Sequence, residues 1–178
     1  MITRRAFVLT AAAGLLAAAA RPTLAEPDSP SDPRAIVDAI YTRAARGKGK
    51  GDGGGGFLTA NKSARARNLS QSLATLWLRA DAHTPKGDVG PIDFDPVTSS
   101  QEPDVKSFAM TTDSFSSERA TIAVTIVGHN PPRAKSADAI VRYDFVRDGP
   151  QWKIDDIRGA SDGKAWSIRS MLTDSLKN

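Results

Sequence analysis

Residues 139–157 read AIVRYDFVRDGPQWKIDDI, and this stretch decides the fold. From Ala139 to Val146, every second position is apolar or aromatic, which predicts a strand with one buried face. Asp148-Gly149 is a tight-turn signal. Beyond it, residues 151–157 form a second strand candidate with Trp152 and Ile154 on one face. The stretch therefore predicts an antiparallel hairpin that contributes to the core.

The sequence on either side of this hairpin predicts the rest of an α+β domain. Residues 105–112 and 120–128 are two earlier strand candidates, so we expect an antiparallel sheet of about four strands. Asp32 with Pro33 begins a helix that ends before Gly47. A second helix is expected over residues 62–82, and a final helix from about Trp166. Helices first, a meander next and a closing helix are typical of an α+β fold.

Length and composition limit the domain count and the class of protein. The chain has 178 residues and no cysteine, which suits one domain, residues 34–178, without disulfides. Residues 26–33 are rich in proline and predict a flexible tether. Residues 47–56 are mostly glycine and predict a mobile loop. Without residues 1–25, 21 basic residues face 20 acidic ones. That balance argues against a nucleic-acid partner.

Residues 1–25 have the pattern of a signal peptide that is cleaved after Ala25. Arg4 and Arg5 precede an uncharged stretch of 15 residues, Ala6 to Ala20. A spanning helix needs about 20 apolar residues, so we expect no stable membrane anchor. The paired arginines resemble a twin-arginine signal, and a general secretory signal is the alternative. The expected partner is the twin-arginine export machinery, and the expected location is the periplasm or the medium.

Two short segments resemble a known bacterial family. Residues 141–148 with W-x-I-D-D-I at 152–157, and the loop I-D-F-D-P at 92–96 with Gln101 after it, resemble exported proteins catalogued as domain of unknown function 3828. Glu102 stands where that family commonly has aspartate. The family is similar to the cone-shaped fold of nuclear transport factor 2. The resemblance spans roughly residues 35–176, and it implies a curved sheet, an enclosed pocket and no established activity.

Carboxylates and one tryptophan are the candidate site residues. Asp93 and Asp95 fall on one side if their segment is extended, where they would bind a cation or transfer a proton. The favoured alternative is that Asp95 stabilises a turn before Pro96. Strand alternation places Asp156 and Tyr143 on inward faces, beside Trp152, as a base and a hydrogen-bond donor. His129 is a weaker candidate base.

These residues do not form a recognisable catalytic constellation. His83 and His129 lack metal-ligand spacing, so we expect neither a metal nor another cofactor. The sequence therefore favours a non-catalytic exported protein that binds a small apolar or amphipathic ligand, or a partner protein. The alternatives are a proton-transfer or hydrolytic enzyme that uses a cavity carboxylate, and an interaction module with an exposed apolar patch.

Overall fold

A computed structural model describes residues 32–46, 58–59, 61–131, 133 and 135–177. The predicted signal peptide, residues 26–31 of the predicted tether and the predicted loop 47–56 lie outside these ranges. The elements in chain order are α1 (Pro33–Arg46), α2 (Lys62–Asn68), α3 (Gln71–His83), β1 (Ser107–Phe115), β2 (Arg119–Val127), a 3₁₀ turn (Ser136–Ala139), β3 (Ile140–Asp148), β4 (Gln151–Ser161), β5 (Lys164–Ser167) and α4 (Ile168–Ser175).

The strands form one open antiparallel sheet in the order β1-β2-β3-β4-β5. The predicted α+β class and the β3–β4 hairpin are confirmed, and Gly149 has the positive φ of 62° that its tight turn requires. The sheet has five strands rather than four. Asp162 and Gly163 both have positive φ, so the chain turns sharply after β4. Trp166 therefore lies in β5, and the last helix begins at Ile168 after the Ser167 cap.

The helix predicted over residues 62–82 is two helices. Leu69 is extended, with ψ 153°, and it forms a parallel bridge with Ile154 of β4. The next residue, Ser70, donates its N–H to the Ile154 carbonyl at 2.8 Å. Its hydroxyl accepts from the Leu73 N–H at 3.0 Å and begins α3. The chain leaves helical geometry here because its backbone bonds to the sheet.

The core lies between one face of the sheet and the helices. α1 packs on β1 and β2, whereas α3 and α4 pack on β4. Large buried side chains fill the space between them: Tyr41, Leu73, Trp77, Ile122, Tyr143, Phe145, Ile154, Ile157, Ile168 and Leu172. Tyr143 donates to the Tyr41 hydroxyl at 3.3 Å, and Tyr41 donates to the Val97 carbonyl at 2.6 Å. In the described ranges, no helix is long and apolar enough to cross a membrane.

A β-bulge at Asp155 overturns the predicted orientation of Asp156. Phe145 pairs with Ile154, but the preceding residue of β3, Asp144, pairs with Asp156. Asp155 is thus an extra residue in β4, and the alternation of side chains shifts by one. Ile157 is buried opposite Tyr143. Asp156 therefore lies on the opposite face from Trp152, Ile154 and Tyr143, and the predicted inward placement is wrong.

Candidate functional site

The helix-covered face of the sheet ends in a cleft of about 430 Å³ beside the start of α1. We call it the Trp152 cleft. Its lining combines aromatic and aliphatic side chains with two arginines: Asp32, Pro33, Arg34, Thr112, Phe115, Ile122, Arg147 and Trp152. Among the sequence-predicted site residues, it contains Trp152 and none of the carboxylates.

Strand pairing brings the floor of the Trp152 cleft together. Thr112 lies opposite Ile122 on β1 and β2, and Arg147 lies opposite Trp152 across the β3–β4 hairpin. A second bulge, at Asp113, returns Phe115 to this face opposite a buried alanine. Trp152 is 4% exposed, whereas Phe115 is 65% exposed. The floor is therefore a buried apolar surface, and the exposed Phe115 ring lies at its edge.

The aromatic side chains and one guanidinium of this cleft contact each other. The rings of Phe115 and Trp152 have centroids 5.7 Å apart and an interplanar angle of 46°. The guanidinium carbon of Arg147 lies 4.5 Å from the Trp152 ring centroid. This is a cation–π geometry, in which the arginine covers one face of the indole. The cleft thus offers an apolar surface and a positive charge side by side.

The arginines of the Trp152 cleft bond only to neutral oxygens. Arg34 donates to the Thr112 hydroxyl at 3.4 Å, and Arg147 donates to the Pro150 carbonyl at 3.0 Å. Within the described ranges, neither guanidinium forms an ion pair with a carboxylate. The carboxylate of Asp32 instead accepts the backbone N–H of Arg34 at 3.0 Å and caps α1. Both guanidinium groups therefore keep donors for a ligand.

The predicted acidic loop borders a different cleft, of about 440 Å³, which contains Asp93 and Trp166. Asp93 is exposed, whereas Asp95 is buried. The Asp95 carboxylate accepts the Val97 N–H at 2.8 Å and the Thr98 hydroxyl at 3.0 Å. The interpretation of Asp95 as a turn residue is confirmed. The two carboxylates have different environments and do not act as a pair.

Trp166 closes the base of that cleft through a contact that sequence reasoning missed. Its indole N–H donates to the Ser99 hydroxyl at 3.0 Å, and Phe94 packs on it with ring centroids 5.0 Å apart. Ser99 has a φ of 52°, which is uncommon for a residue with a side chain. The indole also lies over Gly159, where a Cβ would come within 2.5 Å of the ring. Trp166 is thus held in place by structural contacts.

Two larger clefts have most of their charged groups already bonded within the protein. One, of about 560 Å³, lies beside α2 and α3, and its Arg65 pairs with Asp81 at 2.6 Å. The other, of about 570 Å³, lies at the end of β2. There Arg133 donates to three backbone carbonyls and Asp104 accepts three N–H groups from two residues. These interactions stabilise loops, and neither lining contains an aromatic side chain, which distinguishes both clefts from the Trp152 cleft.

Asp104 and His129 form a carboxylate–imidazole pair at the end of β2. Asp104 accepts the backbone N–H groups of Asn130 and His129, and His129 Nδ1 lies 2.8 Å from Asp104 Oδ1. The two backbone N–H bonds, with a smaller contribution from the imidazole, lower the pKa of Asp104 from 3.8 to about 2. The carboxylate fixes the turn that leaves β2.

We expect Asp104 to make stability depend on pH between about 4 and 2. Its folded-state pKa is about 2 against 3.8 unfolded, so its contribution is complete above pH 3.8 and disappears as the pH falls towards 2. Asp104→Asn removes the titration. Urea midpoints of the wild type and this variant should therefore differ most above pH 4 and converge near pH 2.

The exposed Asp88 in the loop after α3 provides the control for this titration. Above pH 4, Asp88→Asn should change the urea midpoint far less than Asp104→Asn does, because an exposed substitution has a small effect on stability. A constant difference between Asp104→Asn and the wild type from pH 6 to 2 would contradict the assignment.

The proposed catalytic candidates are engaged in structural interactions and do not meet. Burial raises the pKa of Tyr143, whose hydroxyl bonds to the equally buried Tyr41. On the other face, the Asp156 carboxylate accepts the Ser167 hydroxyl at 2.6 Å and the Arg169 N–H at 2.9 Å. Asp156 thus anchors the N-terminus of α4. Within the described ranges, no group of three potential ligands is placed to hold a metal ion.

Comparison with known proteins finds no matching family model, no matching curated protein and no matching solved structure. The function is therefore inferred from the residues of the site itself. Arg147 was not predicted from the sequence, because a two-residue turn at Asp148-Gly149 would set Phe145 opposite Trp152. In the structure Asp148 pairs with Gln151, so the loop is Gly149-Pro150 and Arg147 lies opposite Trp152. Trp152 itself was predicted from the sequence. Arg34 and Phe115 were not, because each comes from a distant segment and carries no motif.

Proposed function

We propose that this protein binds a small apolar or amphipathic ligand in the Trp152 cleft. The observation that carries the proposal is the exposed Phe115 ring beside the buried Trp152 and Ile122. A solvent-exposed ring that continues a buried apolar floor gains free energy when a ligand covers it. The cleft lies at the rim of the helix-covered face, beside buried core residues, so a ligand there would extend the core surface.

The wider setting of the proposal comes from the sequence. We infer that residues 1–25 direct export, by the twin-arginine route, and that the mature protein acts in the periplasm or medium. A five-stranded antiparallel sheet with helices on one face is consistent with the cone shape of the resembled family. In that interpretation the Trp152 cleft is the mouth of the cone. Mass spectrometry of gently purified protein would identify a ligand that co-purifies.

The neutral amphiphile octyl glucoside, used below its micellar concentration, tests the binding function. We expect a saturable isotherm in calorimetry and a shift of tryptophan emission, because its chain would cover the exposed Phe115 ring, which contacts Trp152. Phe115→Ala should weaken binding about 10-fold through loss of aromatic contact area. Because that ring is 65% exposed, the variant should remain folded.

Val89 is the matched control, since it is 74% exposed in the loop after α3 and is not part of the cleft lining. Val89→Ala should bind octyl glucoside as the wild type does. The proposed function is wrong if the wild type binds none of three amphiphiles: octyl glucoside, octanoate and octyltrimethylammonium. It is also wrong if Phe115→Ala and Val89→Ala bind octyl glucoside equally.

A further inference from the structure

We propose that the ligand of the Trp152 cleft is an amphipathic anion, such as a carboxylate, whose charged group is bound by Arg34 and Arg147. This inference rests on the proposed function and specifies its ligand class. It comes from a separate observation: within the described ranges, the two arginines have no carboxylate partner. The proposed function rests instead on the apolar floor. An apolar tail would lie on Phe115 and Trp152 while the anionic head contacts the guanidinium groups.

The charge balance of the cleft favours an anion. Its charged lining residues are Arg34, Arg147 and Asp32. Asp32 is directed at the backbone of α1, where it accepts the Arg34 N–H at 3.0 Å. Among the described residues, the two guanidinium groups bond only to a hydroxyl and to carbonyl oxygens. Two guanidinium groups against one carboxylate leave the lining with a net positive charge, which repels a cation, whereas a carboxylate ligand would receive charge-assisted hydrogen bonds.

Three other arginines on the sheet or beside it are already neutralised. Arg142 bonds to Asp113 at 2.9 Å, Arg158 bonds to Asp144, and Arg169 of α4 bonds to Asp155 at 2.6 Å. These ion pairs compensate each of the three guanidinium groups within the protein. In the part of the chain that the structure describes, Arg34 and Arg147 have no carboxylate partner, and both line one apolar cleft. That combination of unpaired charge and exposed ring is the chemical complement of an amphipathic anion.

The position of Arg147 also restricts the ligand geometry. Its guanidinium lies over the Trp152 ring and donates to the Pro150 carbonyl, so two contacts orient it. A planar carboxylate fits the guanidinium fork better than a spherical cation or a sugar hydroxyl. Arg34, at the first turn of α1, is exposed and has a single long side-chain bond, at 3.4 Å to Thr112. The two guanidinium groups thus differ in how firmly the protein orients them.

Calorimetry with three ligands that share an eight-carbon chain, the carboxylate carbon of octanoate included, tests the charge class. The ligands are octanoate, octyl glucoside and octyltrimethylammonium. The wild type should bind octanoate at least about 10-fold more tightly than the ammonium compound. Arg34→Gln and Arg147→Gln should each weaken octanoate binding about 3- to 10-fold, as expected for loss of one charge-assisted hydrogen bond. Neither should change octyl glucoside binding more than about 2-fold.

Arg119→Gln is the matched control, because Arg119 is exposed on β2 opposite Val146 and is not part of the cleft lining. It removes the same charge and should leave octanoate binding unchanged. Arg34→Lys keeps the charge and should bind octanoate better than Arg34→Gln does. Circular dichroism of each variant shows whether it remains folded.

The outcomes separate this inference from the proposed function. Equal binding of octanoate and the ammonium compound would overturn the anion assignment. So would octanoate binding that is unchanged in both glutamine variants. If octyl glucoside still binds in either case and is weakened by Phe115→Ala, the proposed function stands. If the wild type binds none of the three, both proposals fail.

Discussion

Trp77→Ala should lower the free energy of unfolding by about 3–5 kcal/mol, the cost expected when a large buried aromatic is truncated. Trp77 is 2% exposed on α3, within the main hydrophobic core. Its ring also lies 4.9 Å from the guanidinium carbon of Arg65. The substitution therefore removes apolar contact area and a cation–π contact, and leaves a cavity between α3 and its neighbours.

Leu78, the next residue on the same helix, provides the control because it is 55% exposed. Leu78→Ala should change stability by less than about 0.5 kcal/mol. Chemical denaturation of both variants, monitored by circular dichroism, gives the comparison. Indistinguishable midpoints would show that the buried face of α3 is assigned wrongly.

Asp156→Ala should destabilise the protein by about 2 kcal/mol, because it leaves one donor in β4 and two at the start of α4 without their acceptor. These donors are the Ser167 hydroxyl and the N–H groups of Ile157 and Arg169. Asp156→Asn keeps an amide oxygen as acceptor and should recover part of the loss. This effect on stability is expected from an anchor of a helix N-terminus.

Asp174 provides the comparison for this variant. Its side chain is 65% exposed and pairs only with Lys177, three residues along the chain. Asp174→Ala should cost less than about 0.5 kcal/mol. If thermal or urea unfolding shows the same stability for Asp156→Ala and Asp174→Ala, the anchoring role of Asp156 is wrong.

The turn at Asp148-Gly149 and the alternation from Ala139 to Val146 were sufficient to predict the β3–β4 hairpin. Both are local features, and a two-residue turn fixes which residues pair on either side. The loop is Gly149-Pro150, one residue beyond the predicted turn, so Arg147 rather than Phe145 pairs with Trp152. The start of α1 at Pro33 and the turn role of Asp95 were equally readable. Each depends on bonds between residues two or three positions apart, which sequence spacing specifies.

The break between α2 and α3 and the bulge at Asp155 were not readable from the sequence. The helical pattern continues through Leu69, but the Ser70 N–H bonds to Ile154, 84 positions further along the chain. Similarly, uniform alternation along β4 placed Asp156 inward, and one unpaired residue reversed that orientation. A period of two carries no information about where a bulge occurs.

The candidate site was likewise predictable from the sequence only in part. By itself, the sequence determined that Trp152 is a buried strand residue beside a tight turn, because periodicity and turn chemistry are properties of neighbouring residues. Only the tertiary structure decided that Phe115, Arg34 and Arg147 surround it. Their convergence depends on the packing of α1 on the sheet and on the bulge in β1, and such long-range contacts leave no periodic signal in the chain.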